Sequence, residues 1–167
     1  MNKKVINIIL VLIALLLGIN YTRVYNEKEE YINTLIKENE NLKYEIVVLE
    51  GKLEDTLSSL SIEDKFKFAA NAYGLDWKLV YAIARLETGN FTSGLFINGN
   101  NPGGMRTSDG WLSYRTQSEG IIEMTRLIKY SYWNKGLQTP EEIGKKYCPS
   151  TADDWAKKVR SIMKELN

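Results

Sequence analysis

The sequence predicts a mainly α protein in three successive parts: a transmembrane helix, a coiled-coil stalk, and a small helical domain with a short loop or hairpin lobe. Three observations predict it. An uncharged apolar run opens the chain, a heptad repeat without proline follows, and beyond residue 60 capping residues bracket a series of amphipathic stretches. The boundaries read as 1–4 for a cytoplasmic N-terminus, 5–22 for the anchor, 25–60 for the stalk and 61–167 for the domain.

The first element is VINIILVLIALLLGINYT, residues 5 to 22, with no charge between Lys4 and Arg23. As a helix it spans about 27 Å, close to the hydrocarbon core of a bilayer. Tyr21 falls where an interfacial aromatic belongs. No A-x-A-like site follows the run and no cysteine stands after it, so an uncleaved anchor is expected over a signal peptide or lipoprotein. Lys3 and Lys4 before the span, against Arg23 after it, orient the N-terminus inward. The expected location is a bacterial cell membrane, crossed once, with the C-terminal domain outside the cytoplasm.

The stalk follows. Heptad position a reads Tyr25, Ile32, Asn39, Ile46, Leu53, Leu60, and position d reads Lys28, Leu35, Leu42, Leu49, Thr56. Ile at a with Leu at d, and one Asn at a, favours a parallel homodimer. A single amphipathic helix folded back on the domain is the alternative. Gly51 falls at f, outside the seam, where it costs up to about 1 kcal/mol of helix propensity.

In the domain, Ser61 with Asp64 opens a helix that stops at Gly74, and Asp76 caps the next, Trp77 to about Glu87, closed by Gly89. Residues 88 to 114 hold six Gly and read as loop with room for a short hairpin. Thr116 caps a helix from Gln117 to about Tyr132, and Thr139-Pro140-Glu141-Glu142 starts another. The last helix covers about Thr151 to Leu166. An irregular segment that long inside a small domain is usually functional.

Composition narrows the chemistry. The net charge of +1 gives no electrostatic case for nucleic acid. Without histidine, a Ser-His-Asp triad, a Cys-His peptidase and a His-ligated zinc amidase are excluded. With Cys148 alone, no internal disulfide or cysteine metal cluster forms. What remains is carboxylates, Lys, Tyr, Ser or Thr, backbone dipoles, or a metal on oxygen ligands. No metal or cofactor is expected. Glu87 stands out, because Val80, Ile83 and Ala84 share its helix face and it sits at the negative end of the helix dipole. Both surroundings disfavour its charged form, which suits a general acid; a surface ion pair is the plainer role for such a residue.

The string AIARLETGNFTSGLFINGNNPGGMR resembles the glucosaminidase branch of the lysozyme-like superfamily, the autolysin and flagellar muramidase type. Glu87, Thr88, Gly89, Ser93, Asn100, Asn101, Gly103, Gly104 and Met105 fill that family's places in order. GWLSYRTQSEGIIEM and KKYCPSTADDWAKKVRSIM are similar to its return strand and its closing Tyr, acidic turn, aromatic and helix. The resemblance covers about residues 62 to 166. It implies a lysozyme-like helical domain with Glu87 at the floor of a cleft. It also implies a substrate, the β-1,4-linked glycan strand of peptidoglycan. Ser93, Asn100, Asn101, Trp111 and Tyr114 are then expected to bind it, with Phe91 also near. The lobe after the turn is shorter than the family's often is, and Asp109 is the only carboxylate in it. Asp109 and Tyr147 are the candidates for a second catalytic group. Without a second carboxylate, either the substrate's own N-acetyl group or a muramyl hydroxyl must attack, giving hydrolysis or lytic transglycosylation. A non-catalytic, glycan-binding coiled-coil scaffold is the remaining reading.

Overall fold

The computed structural model describes the backbone of residues 3–166 and the side chains of residue 7 and residues 10–166. The expected cytoplasmic segment 1–4 and the first side chains of the expected span 5–22 lie outside the described residues. Among the described residues, no helix is long and apolar enough to cross a membrane. The chain divides into two compact units, one up to Lys52 and one from Leu53 onward.

Helix α1, Lys3–Ser59, runs 57 residues and passes through both the expected span and the expected stalk without a break. Within the first unit its bonds are local. Thr22 Oγ1 donates to the Gly18 and Ile19 carbonyls, Arg23 pairs with Glu27, and the rings of Tyr21 and Tyr25 stack. The seam residues Tyr25, Ile32, Leu35, Leu42, Ile46 and Leu49 are all exposed in the single chain.

The second unit begins with the last turns of α1, where Leu57 is only 3% exposed while Leu53 stays open. Six further helices follow: α2 (Ile62–Tyr73), α3 (Trp77–Glu87), α4 (Gly94–Gly99), α5 (Gln117–Ser131), α6 (Pro140–Tyr147) and α7 (Ala152–Glu165). Their ends are set by side chains. Ser61, Asp76, Thr116 and Thr139 each accept a bond from a backbone N–H of the first turn they precede. Thr139 and Glu142 complete a reciprocal capping box with Pro140 at the first helical position. Gly74 closes α2 in the left-handed conformation.

One core joins α2, α3, α5, α6 and α7. Phe66 and Ala70 of α2, Val80 and Ile83 of α3, Ile121, Met124 and Ile128 of α5, Ile143 of α6, and Trp155 and Val159 of α7 are buried in it. Each large apolar side chain removed from water contributes about 1.5–3 kcal/mol. Arg160 of α7 also clamps Glu141 of α6 through two hydrogen bonds.

The segment read as loop contains one helix and one hairpin. Ser93 caps α4 by accepting from the Phe96 N–H, and Asn100 ends it in the left-handed conformation at φ 51°. Six residues with two glycines carry no helical periodicity, so α4 is invisible to pattern reading. Strands β1 (Arg106–Thr107) and β2 (Gly110–Trp111) pair antiparallel, with Arg106 opposite Trp111. The lobe is therefore a two-residue-per-strand hairpin.

Candidate active site

The end of α3 fixes where Glu87 stands. Thr88 is buried; its hydroxyl donates to the Ala84 carbonyl at 2.7 Å and accepts from the Phe91 N–H at 2.8 Å. Three residues in succession, Gly89, Asn90 and Phe91, then take left-handed φ between 56° and 64°. For a residue as bulky as Phe91 this is an uncommon conformation with a real cost. The ring offsets it by packing against Phe66, Tyr81 and Phe96, with centroids 5.2–6.0 Å apart. Phe91 is thus a wedge packed against the core that pins the turn.

Glu87 Oε1 accepts the indole N–H of Trp155 at 2.7 Å. Glu87 is an exposed residue, yet the protein atoms around its carboxyl displace enough water to raise it from its ordinary value. Trp155 draws it part of the way back, because an N–H donor favours the charged form. The Tyr147 ring stacks on Trp155 at 5.2 Å, and its hydroxyl donates to the Gly103 carbonyl at 2.8 Å. Burial, then the charge of Glu87, pushes the Tyr147 phenol far up, so it remains a hydroxyl. Residues 87, 103, 147 and 155 therefore form one constellation at the ends of α3, α6 and α7.

The turn after α4 is built around Asn101, which is 0% exposed. Its amide nitrogen donates to the Met105 and Leu112 carbonyls at 2.8 and 2.9 Å, and its oxygen accepts the Met105 N–H at 2.9 Å. Nothing of this side chain is left for a sugar, so its task is to tie the turn to the hairpin. Asn100 works similarly, donating to the Tyr114 carbonyl at 2.9 Å. Gly120 lets α5 approach this turn: a Cβ there would stand 1.8 Å from the Asn100 carbonyl oxygen. Ser93 is engaged as the α4 cap.

The other expected residues are dispersed. Trp111 is 56% exposed, with the Arg106 guanidinium 5.4 Å from its ring. Tyr114 donates to the Met105 sulfur and borders a shallow groove of about 220 Å³ with Leu112, Arg126 and Tyr130. Asp109 lies exposed at the hairpin tip; its Oδ1 accepts from Ser108 and its N–H bonds to Thr107 Oγ1. Its bonds are all to its own turn, and none reaches Glu87.

Trp155 is the residue that sequence reading left unassigned. The signal was present, as the aromatic of the DDWAKKV closing motif, but its partner lies 68 positions earlier. Among the described residues, no cluster of three or more potential metal-binding side chains occurs.

The family model described as mannosyl-glycoprotein endo-beta-N-acetylglucosaminidase matches residues 63–167. A search of curated proteins finds no match. The matched segment contains α3, the turn, the hairpin and the Glu87–Trp155–Tyr147 constellation, and it makes up well over half of the chain: the chain belongs to the glucosaminidase family, whose members are glycoside hydrolases acting on cell-wall peptidoglycan.

Proposed function

We propose that the protein is a membrane-anchored hydrolase that cleaves β-1,4 bonds of the peptidoglycan glycan strand, endo to N-acetylglucosamine, with Glu87 as the general acid. The observation that carries this reading is Glu87 itself: a carboxyl partly desolvated and shifted toward its protonated form, held by a buried indole. A carboxyl raised toward its protonated form is suited to supply the proton that departure of a sugar alcohol requires.

Among the described residues, Glu87 is hydrogen-bonded by Trp155 and acts on Tyr147 through its charge, and neither is a carboxylate. Inverting and covalent retaining glycosidases need two carboxyl groups. The mechanism that fits one is substrate-assisted. Glu87 gives its proton to the glycosidic oxygen as the C1–O bond breaks. The acetamido carbonyl oxygen of the same sugar bonds to C1, forming an oxazolinium. Water then opens that ring and returns a proton to Glu87. The same lone acid also supports a lytic transglycosylase, in which a muramyl hydroxyl attacks in place of the acetamido group. Digestion of purified cell wall followed by mass analysis separates them: hydrolysis leaves reducing ends, transglycosylation leaves anhydro ends one water lighter. Intact walls after prolonged incubation would leave the glycan-binding scaffold as the reading.

The apolar run 5–22 supplies the proposed anchor, single-pass with the domain outside the cytoplasm. The exposed seam of α1 supports a parallel homodimer, since Ile32, Leu35, Leu42, Ile46 and Leu49 have no cover in one chain. Light scattering on the stalk with its domain should give a dimer, and Asn39→Ile should keep it associated while broadening the choice of state. A monomer at tens of micromolar would end the coiled-coil reading.

A further inference from the structure

Trp155 is flanked by two residues of α6. The ring is 6% exposed and lies against Tyr147, with centroids 5.2 Å apart and planes 29° apart. Gly144 supplies a second contact: a Cβ there would stand 3.1 Å from Trp155 Cε3. Both clamping residues belong to α6, so that helix sets the orientation of the indole. An indole has one donor and no acceptor, and a buried Trp usually finds that donor a partner. Here it is directed to one oxygen of a carboxyl group 2.7 Å away.

We infer that Trp155 is a positioning residue for the acid: its N–H holds Glu87 Oε1 as the acceptor and so leaves Oε2 as the oxygen that carries and delivers the proton. A neutral carboxyl accepts best at its carbonyl oxygen, so the indole selects which oxygen that is. It also stops rotation about the last side-chain bond, which is soft in Glu. Reaching the transition state then requires no search among carboxyl orientations, and misplacement of a reacting group by about 1 Å costs up to about a hundredfold in rate. Within three positions of Glu87, Tyr147 and Trp155 the other titratable groups are Arg85 on α3, engaged by Glu165 and Asn90, then Lys145, Lys146 and Cys148 around the end of α6, and Asp153, Asp154, Lys157 and Lys158 on α7.

The inference rests on the acid role proposed for Glu87, and its test separates the two. The chain holds four Trp, so the full-length protein labelled with ¹⁵N in its indoles gives few signals to follow against pH. One indole N–H should move with a single transition above the ordinary carboxylate range, and that transition should vanish in Glu87→Gln. Trp155→Phe keeps a ring against Tyr147 and removes the donor. It should lower kcat about tenfold with KM for soluble glycan fragments little changed, and move the alkaline limb of the rate profile to higher pH. No indole following Glu87, whether or not Trp155→Phe folds, overturns the inference. So does a folded Trp155→Phe with the wild-type rate and limb. An indole that does titrate, beside a Glu87→Gln enzyme that still cleaves walls, upholds the contact and overturns the acid reading instead.

Discussion

Glu87 and Asp109 stand at opposite ends of one Gly-rich stretch, and their surroundings differ in kind. Glu87 closes a helix whose face is core, is crowded by protein atoms, and takes its hydrogen bond from a side chain 68 residues away. Asp109 tips a two-residue hairpin, is open to water, and is satisfied by Ser108 and Thr107 beside it. Partial loss of water around the Glu87 carboxyl raises it toward the neutral acid. The difference teaches that in this lobe the environment, and not the residue type, distinguishes the carboxyl proposed as the acid from a turn residue.

The largest test of that contrast is Glu87→Gln. The amide is nearly isosteric and its oxygen still accepts from Trp155, but it has no acidic proton to give. Wall cleavage should fall by about 10²–10⁴-fold, the usual worth of general acid catalysis. Circular dichroism should be unchanged. Retention of more than a tenth of wild-type activity would break the contrast from its catalytic side.

Next in size is Gly120→Ala, which attacks the turn joining the two ends. Its Cβ would lie 1.8 Å from the Asn100 carbonyl oxygen, a backbone atom that cannot step aside alone. Overpacking of this kind costs about 1–3 kcal/mol or more. The melting temperature should drop by several degrees, and activity should drop with it, since Gly103 of the same turn accepts from Tyr147. An unchanged melt would mean the turn is looser than its hydrogen bonds indicate.

Parts of this arrangement were legible in the sequence because they are local. Ser61, Asp76, Thr116 and Thr139 announce their helices through residues at most three positions away, and Glu87 could be read from the Val80–Ile83–Ala84 face. Asn100-Asn101-Pro102-Gly103-Gly104 announces a turn, but not which amide points inward. Asn101 proved to be fully buried and satisfied, so of the two amides expected to bind sugar this one is the tie beneath the hairpin. Trp155 could not be assigned because its meaning lies in a contact across the fold. Phe91 could not, because its left-handed backbone is repaid only by three rings that packing brings together.

A smaller effect sharpens the comparison through stability. The carboxyl of Glu87 is raised in the folded state relative to the unfolded chain. A raised acid favours folding while it stays protonated, fully so below its unfolded value. That contribution is lost as pH rises through the folded value. Above that window the wild type carries an ionised group in a partly desolvated place, whereas the glutamine variant does not. Glu87→Gln should therefore melt higher than wild type at pH 8 and within error of it at pH 4. Equal differences at both pH values would assign the effect to packing and leave the raised carboxyl unsupported.

The smallest effect is expected at the hairpin tip, and it is the informative counterpart to the largest. In Asp109→Asn the side-chain oxygen that accepts from Ser108 is kept, so the turn retains its geometry. Asn is as well suited as Asp to a short turn of this kind. The change removes one exposed charge, and surface substitutions of that sort usually fall within about 0.5 kcal/mol. Stability should be unmoved, and wall cleavage should stay within about twofold of wild type, since a solvated carboxylate with no bond to Glu87 offers the reacting sugar little. Rates for Glu87→Gln and Asp109→Asn, measured on one wall preparation, form a direct ratio. A ratio of a hundred or more leaves a single protein carboxyl in the chemistry and the substrate's own group as its partner. If instead Asp109→Asn loses activity as deeply as Glu87→Gln while folded, the hairpin must close over the glycan and bring Asp109 to the reacting carbon. The mechanism would then use two carboxylates, and the open position of the tip would be the resting state of a lobe that moves.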